Sequence, residues 1–240
     1  MSSVQAVQQR IRTALILVDI QHDFIDGSLA VPDATSILPE VKTLLAPSTA
    51  SAWDLIVTTQ DFHPAGHISF ASSHAGKEPF HEIQVPHPIL GEQAMMPQML
   101  WPDHCVQGTR GSELHPSLVD ELSHHPSTYD SAHHNVQKGT ELNCDGYSGF
   151  ALNGYVRFTR LVRLLAEHQI ERLVIAGLAT DYCCKATIVD ARKFHFDTIV
   201  VRSAMRGVSQ EASQQAFHEF EQWGCTVVSD AKQALTLINA

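Results

Sequence analysis

Long apolar runs are missing from this 240-residue chain. No stretch approaches the length of about 20 residues that a membrane helix needs, and the opening MSSVQAVQQRIR has no apolar core of the kind a secretory signal carries. Both absences predict an intracellular, cytoplasmic protein with no membrane partner. Cations are scarce as well. Lys and Arg number 16 against 26 Asp and Glu, a formal charge of −10, so the surface field repels polyanions and nucleic acid is not expected as a partner. Cysteine is sparse and odd in number. Cys105, Cys144, Cys183, Cys184 and Cys225 lack the dense spacing of a secreted disulfide scaffold, and reduced thiols are the default. The chain also has no internal repeat, low-complexity tract or charged linker to mark a domain boundary.

What is present is a 44% hydrophobic content, ordinary for a globular protein with a sizeable core. Short runs rich in Val, Ile and Leu alternate with stretches of helical periodicity, the pattern of strands and crossover helices in a mostly parallel sheet. Strands are expected at Ala14–Asp19, Leu55–Thr59, Leu173–Ala176, Thr198–Val201 and Thr226–Val228, with a weaker one at His133–Lys138. Helices are expected at Ile37–Leu45, Val156–His168, Asp181–Phe194, Gln210–Trp223 and Ala231–Ile238. The segment Phe62–Ser112 is crowded with His, Pro and Gly, fits neither period and reads as a long functional loop. The expected architecture is α/β, a single domain over 1–240 built as a three-layer sandwich with helices on both faces of the sheet.

Ligands in open α/β sheets gather beyond the carboxyl ends of the strands. Asp19 ends the run ALILVD there, where it is either a cap or a catalytic carboxylate. Lys138 closes HHNVQK and brings a cation to the same edge if that segment is a strand; otherwise it is a solvated surface lysine. Cys183 follows RLVIAG in the first turn of the next helix, where Thr180 or Asp181 could cap and the helix dipole favours a thiolate. Cys184 shares a stripe with Ile188 and Ala191 and reads as a core residue. Adjacent cysteines lack the spacing of a redox pair. A carboxylate, a lysine and a cysteine meeting at one point would form an acyl-transfer site.

Asp61 and His63 stand two apart after the strand LIVTT and so face the same way, with His67 and then His104 and Cys105 further on. Pro64 and Gly66 exclude a helical zinc motif. A metal site is one reading of these side chains; hydrogen-bonded structural histidines are the other.

Together, ALILVDIQHDF, TTQDFHPAGHISF, LWPDHCVQGTRGSELHP, KGTELNCDGYSGF and GLATDYCCKAT resemble the isochorismatase-like cysteine hydrolases and, within them, the nicotinamidases, from Leu15 to Thr187. The resemblance implies a triad of Asp19, Lys138 and Cys183, and an oxyanion hole from the N–H groups of Ala179 and Cys183 behind a cis Leu178–Ala179 peptide. It implies one divalent metal, with zinc the first choice and iron or manganese the alternatives, on Asp61, His63 and His104, with His67 second in rank. It also implies aromatic walls at Phe24, Trp101 and Tyr182. The usual aliphatic residue after the nucleophile is replaced here by Cys184.

The activity so implied is hydrolysis of nicotinamide, or of its analogue pyrazinamide, to the acid and ammonia through a Cys183 thioester, a step of NAD salvage. A homo-oligomer is expected. The rivals are an amidase for another small amide, an isochorismatase, a zinc hydrolase that uses metal-bound hydroxide, and a binding module without activity.

Overall fold

The computed structural model describes residues 10–126 and 133–239. Six strands form one parallel sheet: β1 (Thr13–Val18), β2 (Leu55–Asp61), β5 (His133–Lys138), β6 (Arg172–Leu178), β7 (Asp197–Arg206) and β8 (Thr226–Val228). Their order is β5-β2-β1-β6-β7-β8. The chain builds one half outward from β1, then returns to β6 and builds the other. The order reverses between β1 and β6, where the crevice of a doubly wound sheet opens.

Every residue of β1 and β2 is buried, which is why both read as unbroken apolar runs rather than as alternating ones. The two sides of β1 nevertheless serve different layers. Leu15 and Leu17 pack with α2 (Leu38–Leu44), α3 (Pro116–His124) and α7 (Ala231–Ile238), through side chains such as Val41, Leu118 and Ile238. Ala14, Ile16 and Val18 face α4 (Leu161–Glu167), α5 (Lys185–Lys193) and α6 (Gln210–Gln222), meeting Leu161, Ile188 and Phe220. Helices therefore cover both faces, as a parallel sheet requires. Truncating a side chain such as Leu17 to Ala would cost about 2–5 kcal/mol.

Several local expectations need correction. The segment Phe62–Ser112 is not loop throughout: β3 (Glu82–His87) and β4 (Gly91–Met99) pair as an antiparallel ribbon with a register shift at Pro86/His87. Most of their side chains are exposed or half-buried, so the ribbon lacks the clean alternation that marks a strand lying on a core. A short helix, α1 (His22–Ile25), follows β1 directly. The helix expected from Val156 begins only at Leu161, because Gly154 (φ +69°) and Tyr155 (φ +56°) send the chain the other way just before. The helix expected from Asp181 is a π-helical turn over Thr180–Cys184 that passes into α5.

Candidate active site

Four strand ends converge at the crevice. Asp19 leaves β1 in the left-handed region (φ +47°), a conformation Asp tolerates better than most residues, and this turns the chain out of the sheet. Asp61 ends β2 and Lys138 ends β5, and the two are register partners across the ladder. Beyond β6, the cis Leu178–Ala179 peptide and the π-helical turn carry Cys183 to the same place. The close approach of β1 and β6 depends on Gly177, where a Cβ would lie 2.1 Å from the Val18 carbonyl oxygen.

Lys138 is the hub. Its ammonium donates to Asp61 Oδ1 at 2.6 Å, to the Gly146 carbonyl at 3.2 Å and to Cys183 Sγ at 3.2 Å. These contacts use all three donors. Asp19 Oδ2 lies 2.9 Å from the same nitrogen as an ion-pair partner and has no hydrogen bond of its own. Asp19 Oδ1 accepts from the Thr59 hydroxyl at 2.6 Å. An oxygen of Asp19 and Cys183 Sγ lie within 4.8 Å of each other, so the carboxylate keeps an unbonded lone pair beside the thiol.

Burial sets the electrostatics. It raises the Asp19 carboxyl above the usual carboxylate range, with Lys138 pulling down and Asp61 pushing up. It also pushes the Cys183 thiol well above its ordinary value, and Lys138 offsets only part of that. Burial outweighs the nearby cation, and Cys183 lies in the π-helical turn ahead of α5 rather than in the expected first turn of an α-helix. Neither Thr180 nor Asp181 caps this turn. The Asp181 carboxylate instead accepts the N–H groups of Val208 (3.0 Å) and Ser209 (2.9 Å). Cys184 is fully buried with Ile188 and Ala191, as the stripe predicts, and all five cysteines are free thiols.

Next to the triad, Asp61, His63 and His104 each present one ligand atom within 4.8 Å of the other two. His63 Nδ1 is 2.8 Å from the Gly139 carbonyl and His104 Nδ1 is 2.8 Å from the Pro102 carbonyl. Each Nδ1 thus donates its proton to a carbonyl, and the Nε2 atoms face Asp61 Oδ2 at 3.7 and 4.0 Å. This tautomer control is typical of metal-ligating histidines. Gly139 (φ +62°) makes room for it, since a Cβ there would meet His63 Cε1 at 2.3 Å. Two imidazoles and a carboxylate suit zinc, iron or manganese. Burial, and then the charge of His63, hold His104 down at about 4, so it is neutral and ready to ligate at neutral pH. His67 lies outside this trio but forms a second group with His63 and Asp145, their ligand atoms within 4.8 Å of one another. It stacks on His63 at 4.1 Å, its Nδ1 is 2.7 Å from Ser69 Oγ, and its Nε2 is 3.4 Å from the Cys144 carbonyl.

Phe24, Trp101 and Tyr182 line a small pocket that reaches Cys183, Asp61 and His104. Trp101 and Tyr182 meet edge to face at 4.7 Å, and Phe24 lies 5.5 Å from His104. Tyr182 N–H and Cys184 N–H both turn back to the Ala179 carbonyl at 3.1 Å, and this fixes the turn between Ala179 and Cys183. Sequence reasoning missed Tyr147, whose hydroxyl accepts from Trp101 Nε1 at 3.2 Å, and the apolar walls Leu29, Val31 and Val208. It also missed the clamp made by Gln21. The Gln21 amide accepts the Asp61 N–H at 2.8 Å and donates to the Asp61 carbonyl at 2.8 Å and to the Ser112 carbonyl at 2.9 Å. A buried amide two residues after Asp19 was the available signal.

Comparison with known proteins identifies the family. The isochorismatase domain family matches residues 13–143 and 145–232. The nicotinamidase of Acinetobacter baylyi is 39% identical over 210 residues, covering 87% of this chain and 88% of that one. The yeast nicotinamidase bound to the inhibitor nicotinaldehyde superposes with a TM-score of 0.82 at 31% identity, covering 91% of this chain and 100% of that one. The pyrazinamidase of Pyrococcus horikoshii in complex with zinc gives a TM-score of 0.68 at 31% identity, covering 91% and 99%. With the family match spanning nearly the whole described sheet and the strand ends carrying this constellation, the chain belongs to the isochorismatase-domain family of hydrolases.

Proposed function

We propose that this protein is a nicotinamidase, hydrolysing nicotinamide to nicotinate and ammonia, with Cys183 as nucleophile. The observation that carries the reading is Lys138, which touches Cys183 and ion-pairs with both Asp19 and Asp61. One ammonium so joins the sulfur, the base and the metal-ligand set. Relatives named as nicotinamidases, at 39% and 38% identity over most of the chain, support the choice of substrate.

In this mechanism the aromatic walls receive a flat heteroaromatic ring, and the carboxamide carbon lies over Cys183 Sγ. A divalent ion on Asp61, His63 and His104, with zinc the first choice, would supply a Lewis-acid anchor for the ring nitrogen. Positioning is then complete before bonds change. The thiol, held protonated by burial at rest, transfers its proton to the unbonded oxygen of Asp19 as sulfur attacks the carbonyl. A raised carboxyl suits this task, because a base works best with a pKa drawn toward the operating pH. Lys138 stays between the new charges. The N–H groups of Ala179 and Cys183 receive the oxyanion, and each such donor is worth about 3 kcal/mol of barrier. Asp19 next protonates the departing ammonia, which leaves a thioester on Cys183. Asp19 then takes a proton from water as it attacks the thioester and returns it to the sulfur as nicotinate leaves, restoring the thiol. The carboxyl group acts as base and then acid in each half of the reaction.

The test is ammonia release from nicotinamide, pyrazinamide and isochorismate by the protein as isolated and after chelation and dialysis. Release from both amides, lost on chelation and restored by a divalent metal, is expected. Turnover of isochorismate alone would overturn the reading.

A further inference from the structure

His22 opens α1 and Asp26 closes it, so a single turn brings their side chains together, with His22 Nδ1 3.3 Å from Asp26 Oδ1. His115, at the N-cap of α3, arrives from the opposite side. The two histidine backbones are locked to each other's strand: His22 N–H donates to the Glu113 carbonyl at 3.1 Å and His115 N–H to the Ile20 carbonyl at 2.9 Å, around an antiparallel bridge between Gln21 and Leu114. The imidazole centroids are 5.4 Å apart. One ligand atom from each of the three side chains lies within 4.8 Å of the other two. From this geometry we infer a second binding site for a divalent transition metal, formed by His22, Asp26 and His115 and separate from the Asp61 set.

The donor set is two imidazole nitrogens and a carboxylate oxygen, which selects zinc, cobalt, nickel or copper over calcium or magnesium. Metal–ligand bonds of about 2.0–2.1 Å at tetrahedral angles set neighbouring ligand atoms roughly 3.3 Å apart. The His22–Asp26 pair already has that spacing. The backbone bridge holds His115 opposite them, and the exposed Asp26 side chain leaves the site open to entry. Binding takes the place of the hydrogen bond between His22 and Asp26. Burial, and then the neighbouring His22, hold the His115 imidazole below its ordinary value; Asp26 opposes them and Arg110 adds to them. The consequence is mechanical. An ion here ties α1, which carries the cavity wall Phe24, to the segment that leads into α3.

Equilibrium dialysis against cobalt, with metal counted per chain, tests the site. The wild type should retain one more cobalt ion per chain than His115→Ala, and Asp26→Asn should bind that ion at least about tenfold more weakly, a loss on the scale of a ligand or its partner. Circular dichroism of each variant monitors folding, and Asp26→Asn keeps the test available should His115→Ala fold poorly. Equal cobalt counts in wild type and in folded His115→Ala, or an unchanged cobalt affinity in Asp26→Asn, would overturn the proposal and leave His22–Asp26 as an ordinary hydrogen-bonded pair. The count stands independently of whether nicotinamide is the substrate.

Discussion

Asp61 and Lys138 are ion-paired at 2.6 Å as register partners at the ends of two adjacent parallel strands. The carboxylate divides its work. Oδ1 holds the lysine that touches Cys183, while Oδ2 faces the Nε2 atoms of His63 and His104. The proposed nucleophile and metal ligands therefore share one residue, and damage to it should spread to both.

Asp61→Asn keeps the shape and removes the charge. Metal content after dialysis should fall at least about 10–100-fold in affinity, the scale seen when even an outer-shell partner is lost. Turnover should remain low when metal is restored to saturation, because Lys138 has lost one of its two carboxylates. Metal titration followed by an ammonia assay checks both parts. Full recovery at high metal would mean that Asp61 acts through the ion alone.

Gln21→Ala deletes the amide that brackets the Asp61 main chain. It leaves the buried backbone N–H and carbonyl of Asp61 without that partner, at a cost of about 1–3 kcal/mol, while the Ser112 carbonyl keeps its bond from Gln60 Nε2 at 2.6 Å. Chemical denaturation should show that loss, and metal affinity should weaken in the same variant because Asp61 is no longer held. A stability loss with unchanged metal affinity would assign Gln21 to folding only.

Metal binding should release a proton near neutral pH. Burial drives His63 down, but the Asp61 carboxylate more than offsets it, so the net shift is upward from the ordinary histidine value. The metal-free protein thus holds a proton on His63 that an ion must displace. Affinity should rise about tenfold per pH unit until pH passes the His63 value, then level off. Calorimetry in buffers of different ionisation enthalpy reads the proton count directly; no buffer dependence at pH about 6.5, the unperturbed histidine value, would contradict it.

Legibility in the sequence followed burial. ALILVD announced itself because both faces of β1 are covered, and Cys184 was assigned to the core because its stripe with Ile188 and Ala191 is helical in fact. β5 was weak in sequence because it is an edge strand, with Val136 and Lys138 its only buried residues. The β3–β4 ribbon gave no pattern because little of it is buried. A sequence shows a cation near a thiol, but the depth of burial that overrides it is a property of the assembled crevice. The Gly146 carbonyl on Lys138 and the Tyr147 hydroxyl beside Trp101 come from a segment whose placement only tertiary structure reveals.

The most direct test is acid quenching of the enzyme during nicotinamide turnover, followed by peptide mapping for a nicotinoyl thioester, in the wild type, Cys183→Ala and Cys184→Ala. The account predicts an adduct on Cys183 in the wild type and in Cys184→Ala, with ammonia release abolished in Cys183→Ala. An adduct on Cys184, or ammonia release that survives Cys183→Ala and is lost in Cys184→Ala, would contradict it.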